Sequence, residues 1–129
     1  MISFHRNDIK EGFEVREPGQ YGAEVKEINV KETTNGDPML TLKFFDLETD
    51  TFLCSDNLVF SEKAKGFAYR KVEMLGIIPN EGDVFELEPE ELIGCRCLLN
   101  LVIEENNGKK FLKPVFSGKG LGYEKYISN

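Results

Sequence analysis

The sequence predicts a mainly β fold in which five strands close into a small barrel, with one α-helix between strands three and four. Three observations carry this. Residues 20–32, QYGAEVKEINVKE, alternate as a strand does, but their apolar residues change phase once. Ala23 and Val25 share one face, and Ile28 and Val30 share a face three residues later. An odd step sends the second pair to the wrong side of a regular strand, so one extra residue near 26–27 must restore the phase. That extra residue is a β-bulge, and a bulge bends its strand. A long bent strand can pair with different neighbours at its two ends, the device by which small barrels dispose of open edges. The second observation is a pair of Asn-Gly turns, each between alternating segments. The third is a single stretch of helical period at 61–75.

Residues 1–19 mix polar residues with Phe4, Ile9 and Phe13 and end in Pro18-Gly19; they read as an N-terminal arm covering the barrel. After the long strand, Asn35-Gly36 supplies the two residues that tolerate positive φ in a tight hairpin. The return strand, 39–45, puts Leu40, Leu42 and Phe44 on one face and Thr41, Lys43 and Phe45 on the other. A polar turn at 46–50 leads to a third strand, 51–60, whose apolar residues lie too close together to assign faces. Ser61 can cap a helix running to about residue 75, with Ala64, Phe67, Ala68, Val72 and Leu75 as its apolar stripe. Lys71 falls inside that stripe and must snorkel or mark a distorted turn. Residues 89–93 suit a short helical turn. The fourth strand, 95–105, is apolar at nearly every position, which predicts cover on both faces. Asn107-Gly108 makes the second tight turn. In the fifth strand, 109–116, Leu112, Pro114 and Phe116 face one way and Phe111 and Lys113 the other. The domain proper is 20–116, and 117–129 reads as a glycine-rich, flexible C-terminal tail. Strand order and helix position are OB-fold-like; an open five-stranded sheet with a packed helix is the alternative.

At 129 residues the chain can bury one core without staples. With 40% hydrophobic and 30% charged residues it has the balance of an ordinary globular protein. No apolar run approaches the roughly 20 residues of a membrane span, and no signal-peptide core follows the start, so the expected location is the cytoplasm with no membrane partner. The net charge of −7 weighs against a polyanionic partner until its distribution is read. Residues 77–94 hold six acids and no base, whereas 95–129 hold six Lys/Arg against three Glu. Charges separated by more than about 8–10 Å are largely screened, so a local basic surface can act within an acidic protein.

The sequence offers no catalytic constellation. His5 is the single histidine and lies in the arm, and no serine or cysteine motif has a basic partner placed by sequence. Cys95 and Cys97 share a strand face without a second pair, which reads as buried small hydrophobes rather than a zinc site. Asp46, Glu48 and Asp50 imitate the start of a calcium loop. Its sixth position is Thr51 instead of Gly and its twelfth is Asn57 instead of Glu, so the motif fails. Gly118, Gly120 and Gly122 precede no helix that could bind a phosphate. The expectation is a protein with no enzymatic activity, no metal and no cofactor. One repeated feature remains. Lys43 with Phe45, and Phe111 with Lys113, pair a cation with a ring on an outward face, and Lys26 joins them depending on the bulge. Lysines follow a phosphate backbone and aromatic faces stack any base, a combination suited to sequence-tolerant single-strand binding. The residues alone leave open the alternative that both rings pack under the arm or tail and the lysines are merely solvated.

The stretches GQYGAEVKEINVKETTNGDPMLTLKFFDL, SDNLVF and ELIGCRCLLNLVIEENNGKKFLKPVF resemble a phage and prophage family of small proteins known as a domain of unknown function. The resemblance spans most of 19–116 and implies single-stranded-DNA binding in phage replication or recombination, in the host cytoplasm. The family offers no agreed functional residues to carry over. Thr51-Phe52-Leu53-Cys54 lacks the basic residue expected where the family's third strand begins, which puts phosphate contact from that strand in doubt. Both hairpin turns are short, so one barrel cannot wrap a strand deeply, and a homo-oligomer is expected to compensate. The alternative is an adaptor for a recombinase or replication protein, docking through the acidic segment 81–91.

Overall fold

The first strand, β1 (Gly19–Glu32), bends where the phase of its apolar residues changes. Its register against β2 (Pro38–Asp46) shifts between Val25 and Glu27, which leaves Lys26 as the extra residue of a bulge. Before the bulge, residues 19–24 also pair with β4 (Arg96–Asn106); beyond it, β1 pairs with β2 alone. The computed structural model describes residues 16–77, 88–116 and 121–126. The remaining elements are β3 (Phe52–Val59), helix α1 (Lys65–Met74), a single 3-10 turn (Pro89–Leu92), β5 (Lys109–Pro114) and β6 (Tyr123–Lys125). The arm up to residue 15, residues 78–87 of the acidic connection, and 117–120 and 127–129 of the tail lie outside the described residues.

The barrel expected from the sequence is not closed. The antiparallel sheet runs β3-β2-β1-β4-β5, and no ladder joins β3 to β5 among the described residues. The two end strands approach one another, but a groove of about 390 Å³ separates them. One cause is visible in β5. Its six residues pair only with the distal part of β4, Leu101 to Asn106, and its last residue, Pro114, has no N–H for a further ladder. The proximal part of that β4 edge is taken by β6 instead, Cys97 opposite Lys125 and Leu99 opposite Tyr123.

Part of the expected flexible tail is therefore structural. Tyr123 is among the largest fully buried side chains, with its ring edge-on to Phe44 at 5.6 Å. Gly122 lets the chain enter that position. Its φ is +89°, its carbonyl accepts from the N–H of Asn100 at 2.7 Å, and a Cβ there would meet the Val115 backbone at 2.7 Å. Side-chain pattern predicted a loose end because three spaced glycines resemble a linker; a close backbone approach uses the same residue for another reason.

The core lies under one face of the sheet. Leu40, Leu42 and Phe44 of β2 point into it with Ala23 and Val25, Leu58, Leu99 and Leu101, and Leu112. The alternation predicted for β2 and the Leu112/Pro114 face of β5 is present, although Phe116, just past the strand, is exposed. The ambiguous phase of β3 has a cause: a second register shift lets Phe45 oppose Phe52 and Phe44 oppose Cys54, so Leu53 and Cys54 are both buried. β4 differs from expectation. Cys97, Leu99 and Leu101 are buried, but among the described residues no layer covers the other face, and every residue from Val102 to Phe111 is exposed. The second turn is as tight as predicted, with Asn107 and Gly108 at φ +54° and +78°.

Helix α1 starts at Lys65, later than predicted, because Ser61 caps a preceding turn through the Ala64 N–H at 3.1 Å. The buried stripe is Ala68, Lys71, Val72 and Leu75. Phe67 is displaced from it and meets Phe116 at 5.5 Å on the surface. Lys71 does not snorkel. Its ammonium donates to Asp56 Oδ2 at 2.7 Å and lies 5.5 Å over the Tyr123 ring. The Tyr123 hydroxyl donates to the same oxygen at 2.7 Å. Burial, and then the Asp56 charge, push the Tyr123 hydroxyl far above its ordinary pKa, so it stays a donor.

Removing one partner from such a buried pair strands a charge. Asp56→Ala should cost about 3–5 kcal/mol of unfolding free energy, measured by urea denaturation. Tyr123→Phe, which deletes one hydrogen bond, should cost nearer 1 kcal/mol. Lys71→Met added to Asp56→Ala should recover part of the loss, because the stranded cation is gone. Equal losses in all three variants would contradict this account.

Candidate functional site

The outward face of the sheet is set by the same alternation that builds the core. With Leu42 and Phe44 inward, Lys43 and Phe45 must point outward on β2, and Phe111 and Lys113 do so on β5. The two pairs come from strands that are not neighbours in the ladder. The curl of the sheet turns β3, the neighbour of β2, towards β5, so one strand stands between the two pairs. Phe111 and Lys113 line one wall of the groove there, and Phe52, Asp56 and Asn57 of β3 line the other. Phe45 does not line it but packs edge-on against Phe52, with ring centroids 6.0 Å apart at 83°.

Phe52 is the residue that sequence reasoning missed. It is 51% exposed and Phe111 is 40% exposed, so both retain ring surface for a partner. A signal was present: Phe52 is the cross-strand partner of Phe45, and aromatic cross-strand pairs are a recurrent unit of sheet surfaces. The crowding of apolar residues around 52–54 hid it.

The lysines differ from the expected free cations. Lys43 lies 3.3 Å from Glu27 and Lys113 lies 3.1 Å from Glu104. Lys26, the bulge residue, lies 3.0 Å from Glu24 and 3.5 Å from Asp50, away from the groove lining. The structure thus groups Phe111 and Lys113 with Phe52, links Phe45 through its ring contact, and leaves Lys26 apart. Exposed pairs of this kind are worth about 0–1 kcal/mol, so a phosphate can displace a carboxylate at small cost.

Two carboxylates elsewhere are held charged. The Lys26 hydrogen bond, followed by that of Arg96 at 3.0 Å, keeps Glu24 below its usual pKa. Burial pushes Asp46 up, but the Glu48 N–H at 2.8 Å, the Arg16 guanidinium and the Thr49 N–H outweigh it and hold it low. Arg16 also lies 4.9 Å over the Tyr21 ring, which ties the end of the arm to the sheet. The thiols are of another kind. Burial pushes Cys54 up to about 12 and raises Cys97 further, while half-buried Cys95 is raised less. Neither buried thiol offers a thiolate for nucleophilic chemistry near neutral pH. Among the described residues no group of three or more His, Cys, Asp or Glu could hold a metal ion.

Residues 2–51 match the model of a family described as a protein of unknown function (DUF669). The match takes in the arm, β1, β2 and the turn after it, with Lys26, Lys43 and Phe45, and stops one residue before Phe52. Among curated proteins, no match is found.

Glu24 and Asp46 make acid stability the measurable consequence. Their folded pKa values lie below the unfolded ones, so their contribution is complete above about pH 4–4.5 and is lost as pH falls through the folded values. Melting temperature should therefore decline below about pH 4.5, and Asp46→Asn should decline less steeply while starting lower. A variant whose acid profile parallels the parent would remove Asp46 from this account.

Proposed function

We propose that the protein binds single-stranded DNA without an enzymatic step, in replication or recombination, with the groove between β3 and β5 as its binding surface. One observation carries this reading: Phe52 and Phe111 present exposed rings on opposite walls of one groove of about 390 Å³. Base stacking on aromatic rings tolerates any sequence, and Lys113 on one wall, with Lys43 on the strand beside β3, would supply cations for a strand's phosphates. The strand path supports the same reading. Five strands ordered β3-β2-β1-β4-β5, with the end strands facing each other, follow the path of an OB-fold barrel left open along one seam. In that fold the second and third strands carry the nucleic-acid face, and here they carry Phe45 and Phe52. No helix among the described residues is long and apolar enough to cross a membrane. A groove of this size holds few nucleotides, so useful affinity calls for several copies of the chain on one strand.

The experiment is fluorescence anisotropy with a labelled oligo-dT across a salt series. Log Kd should rise with log salt by about 0.7 per phosphate engaged, with roughly two phosphates because each must displace a carboxylate. Phe52→Ala and Phe111→Ala should each weaken binding by about 5- to 150-fold while melting within a few degrees of the parent. Phe45→Ala should act in the same direction by releasing Phe52. Lys43→Ala and Lys113→Ala should chiefly flatten the salt slope. No binding at low salt, or binding indifferent to salt, would favour the adaptor reading, in which the same exposed rings dock on a recombinase or replication protein. Most of the acidic segment assigned to that docking, 81–87, lies outside the described residues.

A further inference from the structure

We infer that the groove admits bases rather than phosphates and prefers a base carrying an exocyclic amine, so that cytosine is favoured over thymine; this rests on the single-strand reading above. The argument starts from the charges that line the groove. Asp56 and Glu104 contribute carboxylates, and Lys113, the cation among the lining residues, is already 3.1 Å from Glu104. A phosphate entering between Phe52 and Phe111 would therefore meet acceptors of its own sign. The backbone must run outside, past the rim, and the base must turn inward.

Asp56 then decides which base. Both of its hydrogen bonds, from Lys71 and from Tyr123, fall on Oδ2 at 2.7 Å. They fix the carboxylate in place, and its other oxygen, Oδ1, has no donor among the described residues. Asp56 sits on the inward face, opposite Leu42, but lines the same groove as the two rings and its side chain is 18% exposed, so a base edge that reaches the floor of the groove can meet this fixed acceptor. An ionised carboxylate only accepts. Cytosine offers an N4 amine that donates; thymine offers an O4 that accepts in the same place. The two pyrimidines stack on the same rings but differ also at N3, an acceptor in cytosine and an N–H donor in thymine, and at C5, so the amine contact itself is isolated by blocking N4 of cytosine. Asp56 is a specificity-determining residue in this scheme, held by Lys71 and Tyr123 as positioning residues.

Because Asp56 also holds the fold together, the test varies the ligand and leaves the protein intact. Unlabelled oligo-dC, oligo-dT and an oligo-dC with every N4 dimethylated, all of equal length, compete with one labelled strand at fixed salt and pH. Oligo-dC should compete about three- to tenfold better than oligo-dT, the worth of one net hydrogen bond. The dimethylated strand, which keeps the ring but has lost both donors, should fall to the oligo-dT level or below. Equal competition by oligo-dC and oligo-dT, or an advantage retained after dimethylation, overturns the preference while leaving strand binding intact. Failure of all three to bind overturns the preference together with the reading beneath it.

Discussion

Lys71 and Asp56 meet in a place where neither charge could stand alone. Their side chains are 8% and 18% exposed, and an isolated ion so placed would lose several kcal/mol of solvation. Paired at 2.7 Å and joined by the Tyr123 hydroxyl, they connect β3, α1 and β6, three elements with no backbone ladder among them. The helix thereby gains a fixed position over the sheet, and the end of the chain gains a reason to return to it. A wholly apolar contact of the same area would not specify which helix turn faces which strand. Here a displacement of the helix by one residue would bury both charges unpaired.

The second constraint is the bulge at Lys26. It divides β1 between two partners and gives the sheet its curl, so that the end strands β3 and β5 face each other across a gap. Two bare edges would ordinarily invite pairing with other chains. The β5 edge carries Lys109, Lys110, Lys113 and Pro114, residues of the kind that discourage such pairing. The gap that remains is shaped by side chains: rings on both walls, acceptors along it, and one cation at its side that is already paired.

That charge arrangement changes what the lysines can contribute. A row of free cations would make affinity mostly electrostatic and indifferent to bases. Lysines 3.1–3.3 Å from glutamates would contribute only the difference between two partners, so under the proposed function the rings would have to supply more of the binding energy. The acid excess of the chain is thus expressed within the proposed site as well as in the segment 77–94.

The sequence by itself determined the first five strands, the bulge, the Asn107-Gly108 turn and the outward faces of β2 and β5. Each of these follows from period-two alternation or from residues that tolerate positive φ, which act over a few neighbours in the chain. It also placed Lys43, Phe45, Phe111 and Lys113 outward. It could not give the partners of Lys43 and Lys113, because Glu27 and Glu104 become their neighbours only through cross-strand register. It misread Lys71 and Phe67 on the helix for a similar reason: a stripe is defined by what it packs against, and Lys71 packs against Asp56 from β3. Phe52 was hidden because a register shift in β3 mixes the two faces of that strand. Tyr123 was hidden because a three-residue strand just after spaced glycines has no pattern of its own. Barrel closure, the groove and the shared acceptor at Asp56 were decided only by tertiary structure, since each depends on segments 15 or more positions apart meeting at hydrogen-bond distance or narrowly failing to.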